Sequence, residues 1–127
     1  MAIDNYDPLQ APEAKQWLAL DESTRTELVV GYHERAGVEL PNVRMHAMLH
    51  VIVENQIALG DETPVRLKVQ QLMAQGLVRH DAIHAVQSVL VKFIFSAIQD
   101  GTAGRDPTKR YYAAVKRLSA RKWLRSG

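Results

Sequence analysis

The sequence contains no cysteine. That excludes disulfide staples and every thiolate metal site, so any metal on this chain must be held by nitrogen and oxygen. It also agrees with an intracellular setting. No uninterrupted apolar run approaches the roughly 18 residues a membrane span needs. The opening Met1-Ala2-Ile3-Asp4-Asn5-Tyr6-Asp7 lacks the basic-then-apolar order of a secretory leader. No two-residue alternation of strand length stands out, and there is no internal repeat or low-complexity tract. These absences point to a soluble, cytoplasmic, all-α protein with no membrane partner.

What is present is punctuation. Glycine and proline divide the 127 residues into helical segments, and that length suits one domain with its own core. A short helix is expected within Pro12–Leu20. Asp21 is placed to cap a helix from Glu22 to Ala36, which Gly37 stops. After a Val38–Pro41 connector, Asn42 caps a helix running to Leu59, stopped by Gly60. Thr63-Pro64 opens another that ends at Gly76. The longest runs from Arg79 to Asp100, and Asp106-Pro107 opens a basic last helix. Five to six helices with short connections predict a compact bundle.

The net charge of +2 hides an asymmetry. Residues 105–127 carry eight Lys/Arg against one acid, and residues 1–104 carry eight bases against thirteen acids. Basic pairs at 109–110, 116–117 and 121–122 flank a packing face of Tyr112, Val115, Leu118 and Trp123. Such a helix can contact phosphates. The reading preferred here is an amphipathic helix whose cations complement its dipole and dock on an acidic surface; nucleic acid is disfavoured, with no recognised binding motif. Self-association into a homo-oligomer is left open.

The chemistry lies on two helices. His46, His50 and Glu54 recur every four residues, a spacing that returns to one helix face; His80 and His84 repeat it on the Arg79–Asp100 segment. A His pair at this spacing can aim two ring nitrogens at one ion. Val43, Ala47, Val53 and Ile57 flank the first stripe and Met45, Met48, Leu49 and Ile52 cover the rest, so this helix reads as buried nearly all round. His80 and His84 share their sector with Val91, Phe95 and Ile98, while Asp81, Lys92 and Gln99 mark the polar side. Buried imidazoles and a buried carboxylate need partners, and neither helix offers an obvious buried cation. A divalent transition metal (Zn, Fe(II), Mn or Ni) on His46, His50, Glu54, His80 and His84 would balance them. Glu54 could instead orient a ligating histidine. The competing reading is a metal-free His–Glu hydrogen-bond network. His33, beside Glu34 on another helix, reads as a surface residue.

Three resemblances follow from these residues. His80-Asp81-Ala82-Ile83-His84 looks like the zincin His-Glu-x-x-His, but aspartate is a shorter acid that would hold an attacking water poorly, which argues against a peptidase. His80-Asp81, with His50 upstream and Asp100 downstream, resembles the all-helical HD-type phosphohydrolases and implies, as the alternative, a metal-dependent phosphohydrolase. The stretches His46–Gln56 and Gly76–Val86 together resemble a family of short bacterial helical proteins catalogued only as a domain of unknown function. This last likeness spans roughly residues 40–95; it implies a helical bacterial protein and carries no assigned activity.

Overall fold

The structure, a computed structural model, describes residues 5–37, 42–99 and 108–126. Among them are seven α-helices and no strand: α1 (Ala14–Ala19), α2 (Glu22–Arg35), α3 (Val43–Ala58), α4 (Val65–Ala74), α5 (Arg79–Gln99), α6 (Thr108–Arg117) and α7 (Ala120–Ser126), with a 3₁₀ turn at Gly60–Glu62. The Val38–Pro41 connector, the end of the long helix at Asp100 and the Asp106-Pro107 signal lie outside the described residues.

The helix ends follow local chemistry. Asn42 accepts a hydrogen bond from the Met45 backbone N–H at 3.0 Å, a side-chain cap on α3. Thr63 Oγ1 accepts from Val65 N at 3.2 Å and donates to the Gln56 carbonyl at 3.1 Å, tying the start of α4 to α3. Gly76 takes φ 110°, and Leu77 N–H reaches back to the Leu72 carbonyl at 3.1 Å in a Schellman-type stop. Asp21 departs from expectation: α2 begins beside it, but its side chain makes no cap bond.

The expected single basic helix is two helices, broken at Leu118-Ser119. Lys68 on α4 reaches over the break. Its ammonium donates to the carbonyls of Lys116 and Leu118 at 3.0 and 2.8 Å, satisfying the end of α6. Ser119 Oγ then accepts from Lys122 N at 3.2 Å and starts α7.

Helices α3 and α5 form the centre. α3 packs against α1, α2, α4 and α5, and α5 against α3, α4, α6 and α7. α3 supplies Val53 and Ile57 to a core shared with α4, α5 and α6, and Ala47 and Val51 to a second core with Tyr6, Trp17, Val29 and Val30. His46, His50 and Glu54 lie along α3 with these residues on either side. α3 is not buried all round as its composition suggested: Met45 and Met48 are 51% and 54% exposed, and no helix among the described residues covers that side. α5 is long and apolar enough, by length and composition, to cross a membrane. In the fold its Ala82, Ile83, Ala85, Val86 and Leu90 belong to the core.

Candidate metal centre

The rings of α3 and α5 face one another. Ring centroids are 4.2 Å apart for His80 and His84, 5.1 Å for His46 and His84, and 5.5 Å for His50 and His80. The fifth ring was not expected. His33 is 1% exposed, not a surface residue, and its centroid lies 4.9 Å from His46 and 6.0 Å from His50. The cause is periodicity: Thr26, Val29, Val30 and His33 are the buried residues of α2, at positions i, i+3, i+4 and i+7. One ring nitrogen from each of His33, His50, His80 and His84 lies within 4.8 Å of all the others. Nitrogens at 2.0–2.1 Å from a tetrahedral ion stand about 3.4 Å apart, so closing the set is a movement of roughly 1 Å or less per ring.

Hydrogen bonds fix which nitrogens are free. His33 Nδ1 is 2.8 Å from the Val29 carbonyl, which can only accept, so Nδ1 carries the proton and Nε2 the lone pair. The proton on His50 is set through Glu54. Arg79 donates to both oxygens of that carboxylate, at 2.7 and 2.8 Å, fixing it as the anion. Tyr6 gives its hydroxyl proton to Glu54. The Tyr6 oxygen, 2.6 Å from His50 Nε2, must therefore accept from it. His50 is protonated at Nε2 and bare at Nδ1. Among the described residues, no hydrogen-bond partner meets Nδ1 of His50 or Nε2 of His33, His46, His80 and His84, all buried atoms.

Glu54 thus stands apart from the four grouped nitrogens and orients His50 through Tyr6, and the buried cation that neither helix was expected to offer is Arg79, 6% exposed. Asp81, the acid the phosphohydrolase resemblance requires, does not join the grouped donors either. Tyr6 lies before the first helix in a segment without periodicity, so nothing in the sequence marked it. Arg79 did carry a sign: a cation at the N-terminus of a helix opposes the dipole and asks for a reason.

Electrostatics favour the neutral form of the four rings on α3 and α5. Burial, reinforced by the neighbouring histidines, pushes His84 down to about 3 and His46 down to about 4. His50 is driven well below the usual imidazole range by burial and then by His84, His80, His46 and His33. His80 is lowered by burial and His33, with Asp81 and Asp7 opposing. Neutral imidazoles are the form that binds metal.

The cluster is unevenly buried, although its unpartnered ring nitrogens are themselves out of contact with solvent. His33 and His50 are buried, whereas His80 and His84 are partly exposed. His46 and His84 border a cleft of about 280 Å³ that Leu49, Gln87, Ser88 and Val91 complete. At its edge Gln87 Nε2 lies 3.3 Å from the His46 carbonyl oxygen and 3.2 Å from His46 Nδ1. The carbonyl identifies this end of the amide as the NH₂ group, so Nδ1 accepts and the His46 proton sits on Nε2.

Residues 9–117 match the family described as "Domain of unknown function (DUF1841)". The chain belongs to this family. No curated protein and no solved structure matches it. The DUF1841 match extends well beyond residues 40–95, where the sequence resemblance was recognised, and includes His33, Glu54, Arg79, Gln87 and the other four histidines. Tyr6 and α7 fall outside it. In this DUF1841 chain the basic segment makes no ion pair with a carboxylate among the described residues. It docks instead through Tyr111, Val115 and Ala120 in the core and through the Tyr111 hydroxyl, 2.7 Å from Gln56 Oε1.

Proposed function

We propose that the protein binds one divalent transition-metal ion through His33, His50, His80 and His84, and that this ion ties α2, α3 and α5 together. The observation that carries the reading is the grouping of one ring nitrogen from each of these four histidines within 4.8 Å, together with a buried ring nitrogen on each of them that has no partner among the described residues. A metal-free network leaves those nitrogens unsatisfied, each at a cost of about 1–3 kcal/mol. An ion uses their lone pairs. The Glu54–Tyr6–His50 relay is the kind of support that fixes a ligating imidazole in one tautomer. With Glu54 committed to Arg79, the donor set is all imidazole, which suits Zn, Fe(II) or Ni better than Mn.

Elemental analysis of the purified protein, with melting curves after adding Zn, Ni or Fe(II), tests the reading. About one ion per chain and a metal-dependent rise in Tm are expected, and His50→Ala should abolish that rise. Absence of metal together with unchanged melting contradicts the reading, as does a His50→Ala variant that still gains stability from the ion.

A further inference from the structure

The donor set leaves a charge unanswered. Four neutral imidazoles around a divalent cation give a site of formal charge +2, and the buried carboxylate at hand is already neutralised by Arg79. Among the described residues, Asp81 and Asp7 are carboxylates whose fields reach His80. Asp7 is engaged by the Leu9 backbone N–H at 3.0 Å, and neither acid joins the grouped donors. A half-buried dication with no anionic ligand is electrostatically incomplete.

A cleft and a hydrogen-bond donor meet at His46, whose ring lines the cleft while its Nε2 is buried beneath it. The cleft bounded by His46 and His84 abuts the cluster on its less buried side. His46 stands beside the four rings, 4.9 Å from His33 and 5.1 Å from His84 between centroids, without joining the mutually close nitrogens. Gln87 occupies its Nδ1, which leaves an Nε2–H that is buried and has no acceptor among the described residues. A fifth imidazole presenting N–H is arranged to donate to a ligand of the ion.

Resting on the metal reading above, we propose that the loaded site takes a small anion, an oxyanion or an isostere of one, as an additional ligand entering through the His46/His84 cleft, with His46 Nε2–H as its hydrogen-bond donor. The same geometry separates this site from a closed structural one, in which protein atoms fill every position. Gln87 is then a positioning residue: its amide keeps the His46 proton on the side facing the ion.

The test uses the full chain loaded with Co(II), whose visible spectrum reports coordination, titrated with azide and separately with acetate. Wild-type protein should bind about one Co(II), and its spectrum should change saturably with either anion. His46→Leu should keep the Co(II) stoichiometry but bind azide about ten-fold more weakly or worse, the effect of losing a hydrogen bond to a charged group. His46→Gln, which retains an N–H donor, should recover part of that loss. Stoichiometric Co(II) with a spectrum indifferent to both anions overturns the anion proposal and leaves the metal reading standing. Loss of Co(II) from a folded His46→Leu variant makes His46 a ligand and also overturns it. Failure of wild-type protein to take up Co(II) removes the metal reading and this proposal with it.

Discussion

Tyr6 has one hydroxyl proton and gives it to Glu54, so the tyrosine oxygen must take its own hydrogen bond from His50. Tyr6→Phe removes this link without emptying the site. It should destabilise the protein by about 1–3 kcal/mol, since His50 Nε2–H and a Glu54 oxygen lose a buried partner. Metal affinity should fall about 10–100-fold, the usual effect of releasing a ligating histidine from its support. Denaturant unfolding and a metal titration measure the two effects, and unchanged affinity in a folded variant contradicts the tautomer assignment. The histidines themselves predict a pH dependence. In the unfolded chain an imidazole protonates near pH 6.5, whereas in the fold His46 and His84 resist protonation until about 4 and about 3. Between those limits the unfolded chain binds more protons. Tm of the metal-free protein should therefore fall as pH drops below about 6.5, with the His46 and His84 contributions to the loss complete near pH 4 and pH 3. A flat Tm from pH 7 to pH 4 contradicts the buried, neutral cluster. At this scale the sequence was readable wherever residues sit on a periodic face. His46, His50, His80 and His84 were found that way, and His33 could have been, from its spacing to Val29 and Val30. Tyr6 could not, because a residue in an irregular segment has no face to be assigned to.

Among the helices, the ends set by neighbouring residues were legible, and the end set from a distance was not. Gly37, Gly60 and Gly76 stop helices at the expected places, all with positive φ, and Asn42 caps α3 with its side chain. The break between α6 and α7 has no glycine or proline to announce it. It depends on Lys68, about fifty positions earlier in the chain, whose pKa is lowered by burial and by Lys122. Lys68→Met should therefore act on the C-terminal pair. The expected cost is about 1–3 kcal/mol for leaving the Lys116 and Leu118 carbonyls without their charged donor, with faster amide exchange in residues 108–126. Metal binding should be unaffected, because Lys68 is on α4 and the ligands are on α2, α3 and α5. Hydrogen exchange read by mass spectrometry checks this. Protection lost equally across all helices would show that the contact is not local to the pair. The exposed Met45, Met48, Phe95 and Ile98 make a related point. A helical wheel shows which residues share a face, but how much of an apolar helix is covered depends on how many neighbours the fold supplies.

For the molecule as a whole, composition was enough to predict an all-α bundle, and family membership over residues 9–117 places the cluster-bearing helices within one DUF1841 unit. Charge was harder to read. The basic end and acidic body suggested electrostatic docking, yet the end is seated by Tyr111, Val115 and Ala120 while its cations face outward. Removing residues 105–127 would therefore take away part of the core along with the charge. The histidines give the molecule its distinctive feature: three helices bring their rings together, and each ring keeps one buried nitrogen without a hydrogen-bond partner among the described residues. The most direct test is X-ray absorption at the metal edge of the Zn-loaded protein. The account predicts a first shell dominated by four imidazole nitrogens at about 2.0–2.1 Å, with outer-shell scattering characteristic of histidine rings. A shell with two or fewer imidazoles, or one dominated by carboxylate oxygen, would contradict it.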